Sequence, residues 1–149
     1  MTRRSLLTKA AIGLPAMGVV GALTWANPAS TPEASALTVD GIWGHKTTVA
    51  LQSYFGTPID GIVSGQEPSL RGANSALGSG WDWSGNGGSY LISAIQSNLN
   101  VSNDGYFGPR TAQAWHVALG LRPYPYFDLS SPAVSEIQWR LANGRRLFG

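Results

Sequence analysis

Apolar and small residues recur at Thr47, Ala50, Leu51, Tyr54 and Phe55, and again at Thr111, Ala114, Trp115, Ala118 and Leu119. Both sets follow the spacing i, i+3, i+4, i+7, i+8, which puts them on one face of an α-helix. Glycines bracket each predicted helix: Gly44 and Gly56 around the first, Gly108 and Gly120 around the second. A glycine just past a helix end takes the left-handed cap cheaply, and Pro109 suits a first helical position, where no intrahelical N–H is needed. Two more one-sided segments are predicted. Residues 89–99 align Leu91, Ile92, Ile95 and Leu99, and residues 131–141 align Val134, Ile137 and Leu141. Ser89 and Ser131 stand where N-caps are expected, with Pro132 at the first position of the last helix. Residues 57–64 predict a short extended piece around the Asp60-Gly61 turn. Residues 65–88, rich in Gly, Ser and Asn, predict a long loop or linker. A second loop, residues 121–130, carries Tyr124, Tyr126 and Phe127.

The first two helices sit inside a longer repeat. DGIWGHKTTVALQSYFG (residues 40–56) and DGYFGPRTAQAWHVALG (residues 104–120) share six of seventeen positions at an offset of 64. Lys46 and Arg110, Trp43 and Phe107, and Leu51 and Trp115 also keep their physical type. A duplicated unit explains this better than coincidence. Asp40-Gly41 and Asp104-Gly105 are turn dipeptides, in which the carboxylate accepts nearby backbone N–H groups and glycine takes positive φ. The flanking segments are related too, through Ile95-Gln96…Leu99 and Ile137-Gln138…Leu141. The division expected is residues 37–64 as a first unit, 65–88 as a linker with Trp81-Asp82-Trp83, and 89–149 as a second unit with a C-terminal helix.

Residues 1–36 read differently. Arg3, Arg4 and Lys9 precede a weakly apolar run and then Ala34-Ser35-Ala36, the three-part plan of a secretory signal. Paired arginines before Leu6-Leu7 resemble a twin-arginine export signal. The alternative is an uncleaved anchor, although Pro15 and three glycines interrupt the run, and about 20 apolar residues are needed to span a bilayer. The chain's formal charge of +2 belongs to this segment. From residue 37 onward seven cations balance seven anions, and no basic cluster of the kind that binds a phosphate backbone runs through residues 37–142. Nucleic acid is excluded as an expected partner. Membrane contact is expected only through the signal segment if it stays uncleaved.

Chemistry narrows the reading further. The chain has no Cys, so it has no thiolate ligand or nucleophile. Zinc hydrolases use about three N/O ligands, and His45 and His116 occupy unlike places in the repeat. A glycosidase would need two carboxylates across a cleft, whereas Asp40, Asp60 and Asp104 serve as turn formers. No Gly-x-Ser-x-Gly elbow marks a serine hydrolase. No catalytic residue, metal or cofactor is expected, and the protein is expected not to be an enzyme.

Asp-Gly-x-aromatic-Gly-x-x-Thr-x-x-Ala, preceded by an Ile-Gln-x-x-Leu helix, resembles the peptidoglycan-binding domain, in particular the cell-wall-targeting tails of phage lysins and actinobacterial wall proteins. The similarity covers residues 38–149 through VDGIWG, TTVALQ, GTPIDGIVSGQ, WDW, GSYLISAIQ, DGYFGPRT and SPAVSEIQWRLANG. The chain departs from that pattern in lacking a catalytic domain and in carrying Trp115-His116 where Leu-Gln is usual. The resemblance implies a mainly α fold, a small orthogonal helical bundle of that type, here built from two related helix-turn units with long Gly/aromatic loops. It implies a secreted or cell-envelope protein that binds peptidoglycan, by glycan strand or stem peptide, without catalysis. The alternatives are a minimal wall hydrolase or an envelope protein–protein interaction module. Candidate ligand contacts are Asp40, Gly41, Trp43, Trp81, Trp83, Asp104, Gly105, Tyr106, Tyr124 and Tyr126. The aromatic members either meet a sugar face or fill the core.

Overall fold

The computed structural model describes residues 37–148; the signal segment read at residues 1–36 lies outside them. Four α-helices carry the fold: α1 (His45–Phe55), α2 (Tyr90–Leu99), α3 (Pro109–Ala118) and α4 (Ala133–Ala142). One 3-10 turn, Pro68–Leu70, interrupts the long segment between α1 and α2. No strand forms among the described residues. Two isolated parallel bridges, Trp43 with Leu77 and Val63 with Trp81, are the only extended pairing there. α1 packs on α2 and α4, and α2 packs on α3. The molecule is therefore a small, mainly helical bundle, and no described helix is long and apolar enough to cross a membrane.

The helix limits follow local chemistry. Gly44 and Gly108 precede α1 and α3 in extended conformation, and Pro109 opens α3. Gly56 closes α1 at φ +71, donating its N–H to the Gln52 carbonyl. Ser89 caps α2, its hydroxyl accepting the Ile92 N–H at 3.3 Å. The last helix departs from expectation by one residue. It starts at Ala133, with Pro132 in the N-cap position and no side-chain cap. Ser131 instead receives the Ala133 N–H at 3.1 Å while sharing its hydroxyl with His116.

The core is aromatic at its centre. Trp43, Trp115, Phe107 and Phe127 are all buried, with Trp43 meeting Phe107 and Trp115 edge-on at 5.8 and 5.7 Å. Such edge contacts contribute roughly 0.5–1.5 kcal/mol beyond burial alone. Residues 65–88 are not a spacer. Gln66, Asn74, Ala76, Leu77 and Trp81 are buried, and residues 76–82 form a ledge against the core that bridges at Leu77 and Trp81 and turns at Ser79-Gly80 between them. Trp43 donates its N–H to Ala76 O and accepts that of Gly78, both at 2.8 Å; four residues on, Val63 pairs in the same way with Gly80 O and Asp82 N at 2.8 and 2.9 Å. The asparagine-rich stretch has its own work: the Asn74 side-chain oxygen accepts the Phe127 N–H at 2.7 Å, tying the second aromatic loop to this ledge.

Candidate ligand-binding face

Each Asp-Gly turn is gripped by a buried glutamine on a helix. Gln96 of α2 accepts the Gly105 N–H at 2.9 Å and donates to the Asp104 carboxylate, Tyr106 O and Thr111 Oγ1 at 2.9, 2.9 and 3.0 Å. Gln138 of α4 does the same across 98 residues of chain. It accepts the Asp40 and Gly41 N–H groups at 3.0 and 2.9 Å and donates to Asp40, Ile42 O and Thr47 Oγ1. Gln52 of α1 makes a third clasp, on Asp60-Gly61, with its Oε1 taking both N–H groups at 3.1 and 2.9 Å. The repeated unit is thus present three times as a clasp, where the sequence shows two copies of the longer motif. An amide suits the task because it donates and accepts side by side, as a turn backbone requires.

The three turns present the same chemistry outward. In each, the aspartate carboxylate accepts the N–H two residues on: Ile42 at 3.0 Å, Ile62 at 3.0 Å and Tyr106 at 2.9 Å. The residue after that points inward, so Trp43, Val63 and Phe107 are buried. The carboxylates themselves are exposed, and Ile42 and Ile62 stand 45% and 44% exposed beside them. Tyr106 is half-buried at the corresponding place. The exposed His45 lies between the first two turns, its Nδ1 at 3.1 Å from Gly61 O and its N–H on Ser79 Oγ.

The candidate residues divide accordingly. Asp40 and Asp104 form exposed turn tips, and Gly41 and Gly105 supply the positive φ beneath them. Trp43 is corrected from a contact to a core residue. It has no exposed surface, and its indole N–H is spent on Thr48 Oγ1 at 2.8 Å. Trp81 is also buried, donating to Trp43 O at 3.2 Å. Trp83 stacks on Trp81, with ring centres 5.5 Å apart and planes 16° apart, and stays half-buried. One ring thus supports another that meets solvent. Tyr124 and Tyr126 are half-buried and pack edge-on at 5.9 Å.

Two carboxylates beside the candidate aromatics are held by hydrogen bonds. Asp82, between the two tryptophans, accepts the Gly65 N–H at 3.0 Å, and that bond with those from Ser84 holds its carboxyl below the ordinary value. Asp128 is lowered by Ser130 and by the Tyr124 hydroxyl, which donates to it at 2.6 Å; the same bond raises the Tyr124 phenol. No group of three His, Asp or Glu side chains positioned to hold a metal occurs among the described residues.

Two features escaped the sequence reading. Gln66, fully buried, accepts the Phe107 N–H at 2.8 Å and donates to Gly105 O at 2.8 Å, so its amide supplies for the third turn what the ledge backbone supplies for the other two. His116 occupies the position of Gln52 in the repeat but grips no Asp-Gly turn; its Nε2 meets Ser131 Oγ at 2.7 Å. No family model, curated protein or solved structure matches the chain.

Proposed function

We propose that the protein is an exported peptidoglycan-binding protein of the cell envelope, non-catalytic toward the wall it binds. The observation that carries this reading is the outward equivalence of the three clasped turns. Each offers an exposed carboxylate beside an apolar or aromatic side chain, at Asp40 with Ile42, Asp60 with Ile62 and Asp104 with Tyr106. A glycan strand repeats polar hydroxyls alternating with apolar ring faces, so repeated polar-plus-apolar contacts match a repeating polymer. Trp83 and the Tyr124–Tyr126 pair add half-exposed rings, which give contact area at small ordering entropy. The resemblance of the ordered motifs to wall-targeting tails points the same way. Export in folded form, as a twin-arginine signal implies, suits a chain whose first turn is closed by its last helix.

The test is sedimentation. The protein without residues 1–36 is mixed at micromolar concentration with purified sacculi and centrifuged. It is expected in the pellet, and Trp83→Ala is expected to weaken pelleting roughly tenfold while far-UV circular dichroism stays unchanged. Protein left in the supernatant would refute wall binding. Loss of turbidity of the wall suspension would replace binding by hydrolysis.

A further inference from the structure

His116 on α3 is buried, and its ring is fixed from both sides. Nδ1 lies 2.8 Å from the Ala112 carbonyl oxygen, which can only accept, so Nδ1 carries the proton and the neutral ring presents Nε2 as an acceptor. Ser131 Oγ stands 2.7 Å from Nε2. The same oxygen accepts the Ala133 N–H at 3.1 Å, so its own hydrogen is directed at the imidazole. A hydroxyl on a base, with the base oriented by a third group, is the arrangement that activates a serine.

Internal comparison sets this pairing apart from the rest of the repeat. At the equivalent place the chain uses Gln52, and two further clasps use Gln96 and Gln138. Only here does a base replace the amide, and only here is its partner a side-chain hydroxyl rather than a turn. Ser131 is half-buried and stands two residues before the start of α4. The Val134 and Ser135 N–H groups in the first turn of α4 have no acceptor among the described residues, as is usual at a helix start.

We infer that Ser131 and His116 form a nucleophile–base pair that accepts the acyl group of a small carboxylic ester. Ser131 Oγ bonds to the ester carbonyl carbon as its proton passes to His116 Nε2 and the carbonyl electron pair moves onto oxygen. Collapse of that intermediate breaks the bond to the leaving alcohol, which takes the proton back from Nε2. Acyl-Ser131 and a neutral imidazole remain, and water repeats the sequence to release the acid. This inference does not rest on wall binding, and the sedimentation result leaves it untouched.

The experiment treats the full-length chain with a fluorophosphonate probe and, separately, with p-nitrophenyl acetate. One phosphonate per chain is expected, mapped to Ser131 and forming roughly 100-fold faster than at neighbouring Ser130, the usual gain from a positioned base. The acetate should give a burst of about one p-nitrophenol per chain. Ser131→Ala should lose both signals, and Ser130→Ala should keep them. Because the decisive readout is made on the unmutated chain, misfolding of a variant cannot rescue the idea. An intact mass without adduct, or equal labelling of Ser130 and Ser131, overturns it and leaves the pair as a bracket between α3 and α4.

Discussion

A single amide decides how each turn is held, and Gln138 is the most exacting case because its partners lie at the other end of the described chain. Gln138→Leu keeps the volume but strands the Asp40 and Gly41 N–H groups and the Thr47 hydroxyl. Losing this network is expected to cost about 2–4 kcal/mol, read as a lower urea midpoint with unchanged slope. Asp40→Ala removes one partner only and should cost less. The two changes together should fall short of their sum by at least about 0.5 kcal/mol, since they share bonds. Titration at Tyr124 gives a second prediction. Hydrogen bonds from the Ser130 hydroxyl and then the Tyr124 hydroxyl hold the Asp128 carboxyl below its ordinary 3.8, and the bond to Asp128 holds the Tyr124 phenol above its ordinary 10.0. The ionised carboxylate therefore stabilises the fold above pH 3.8, and that contribution is lost as pH falls through the lowered value. The protonated phenol stabilises it below pH 10.0, and that contribution is lost as pH rises through the raised value. Asp128→Asn should weaken the acid dependence of stability and bring the Tyr124 absorbance titration back toward its ordinary midpoint.

At the level of elements, what the chain declares openly is where helices begin and end. Gly56 and Gly61 show how differently two glycines contribute. Both have positive φ, +71 and +73. A Cβ at Gly56 would meet nothing within 4 Å, so Gly56→Ala carries backbone strain alone, about 1 kcal/mol. A Cβ at Gly61 would lie 2.0 Å from His45 Cε1, so Gly61→Ala must also swing that exposed ring off the Gly61 carbonyl, and about 1.5–2.5 kcal/mol is expected by denaturant unfolding, the strain plus one lost hydrogen bond. Equal costs would mean that the His45 ring does not seat on this turn. Helices α1 to α4 were legible because apolar periodicity coincides with local boundary residues: Gly44 and Gly56 around α1, Ser89 before α2, Gly108 and Pro109 at the start of α3, and Pro132 before α4. The clasps were less so. A glutamine beside an apolar face reads as solvent-facing, and its buried state follows only from the turn it grips. A faint signal did exist: Gln52 and Gln96 each precede an Asp-Gly by eight residues. Gln138 lacks even that, because the turn it holds lies upstream at Asp40. Residues 65–88 were misjudged for a related reason. Gly-rich composition marks flexible linkers, but Gly78 and Gly80 here let a backbone ledge run close beside two turns, with Gly78 N–H on Trp43 O and Gly80 O on the Val63 N–H.

For the molecule as a whole, the consequence of that upstream partner is an interlock. The helix nearest the C-terminus closes the turn nearest the start of the described chain, and Leu147 and Phe148 continue into the core, where Phe148 stacks on Trp115 at 6.0 Å and lies 5.7 Å from Phe55. The two motif copies are therefore not two self-sufficient halves. α1 packs on α4 as well as on α2. Cutting the chain after Ser131 removes Val134, Ile137, Leu141 and Leu147, all buried. At roughly 1.5–3 kcal/mol each, their loss amounts to about 6–12 kcal/mol, comparable to the whole stability of a domain this size. It also frees the Asp40 turn and uncovers one side of Trp115. The truncated chain is expected to lose the near-ultraviolet circular dichroism of its buried tryptophans and to yield no protease-resistant fragment containing α2 and α3, although those helices and their Gln96 clasp are intact in sequence. If a fragment spanning residues 89–120 instead survived proteolysis and unfolded cooperatively, the units would be independent modules, and the interlock would be a contact between them rather than the condition for their folding.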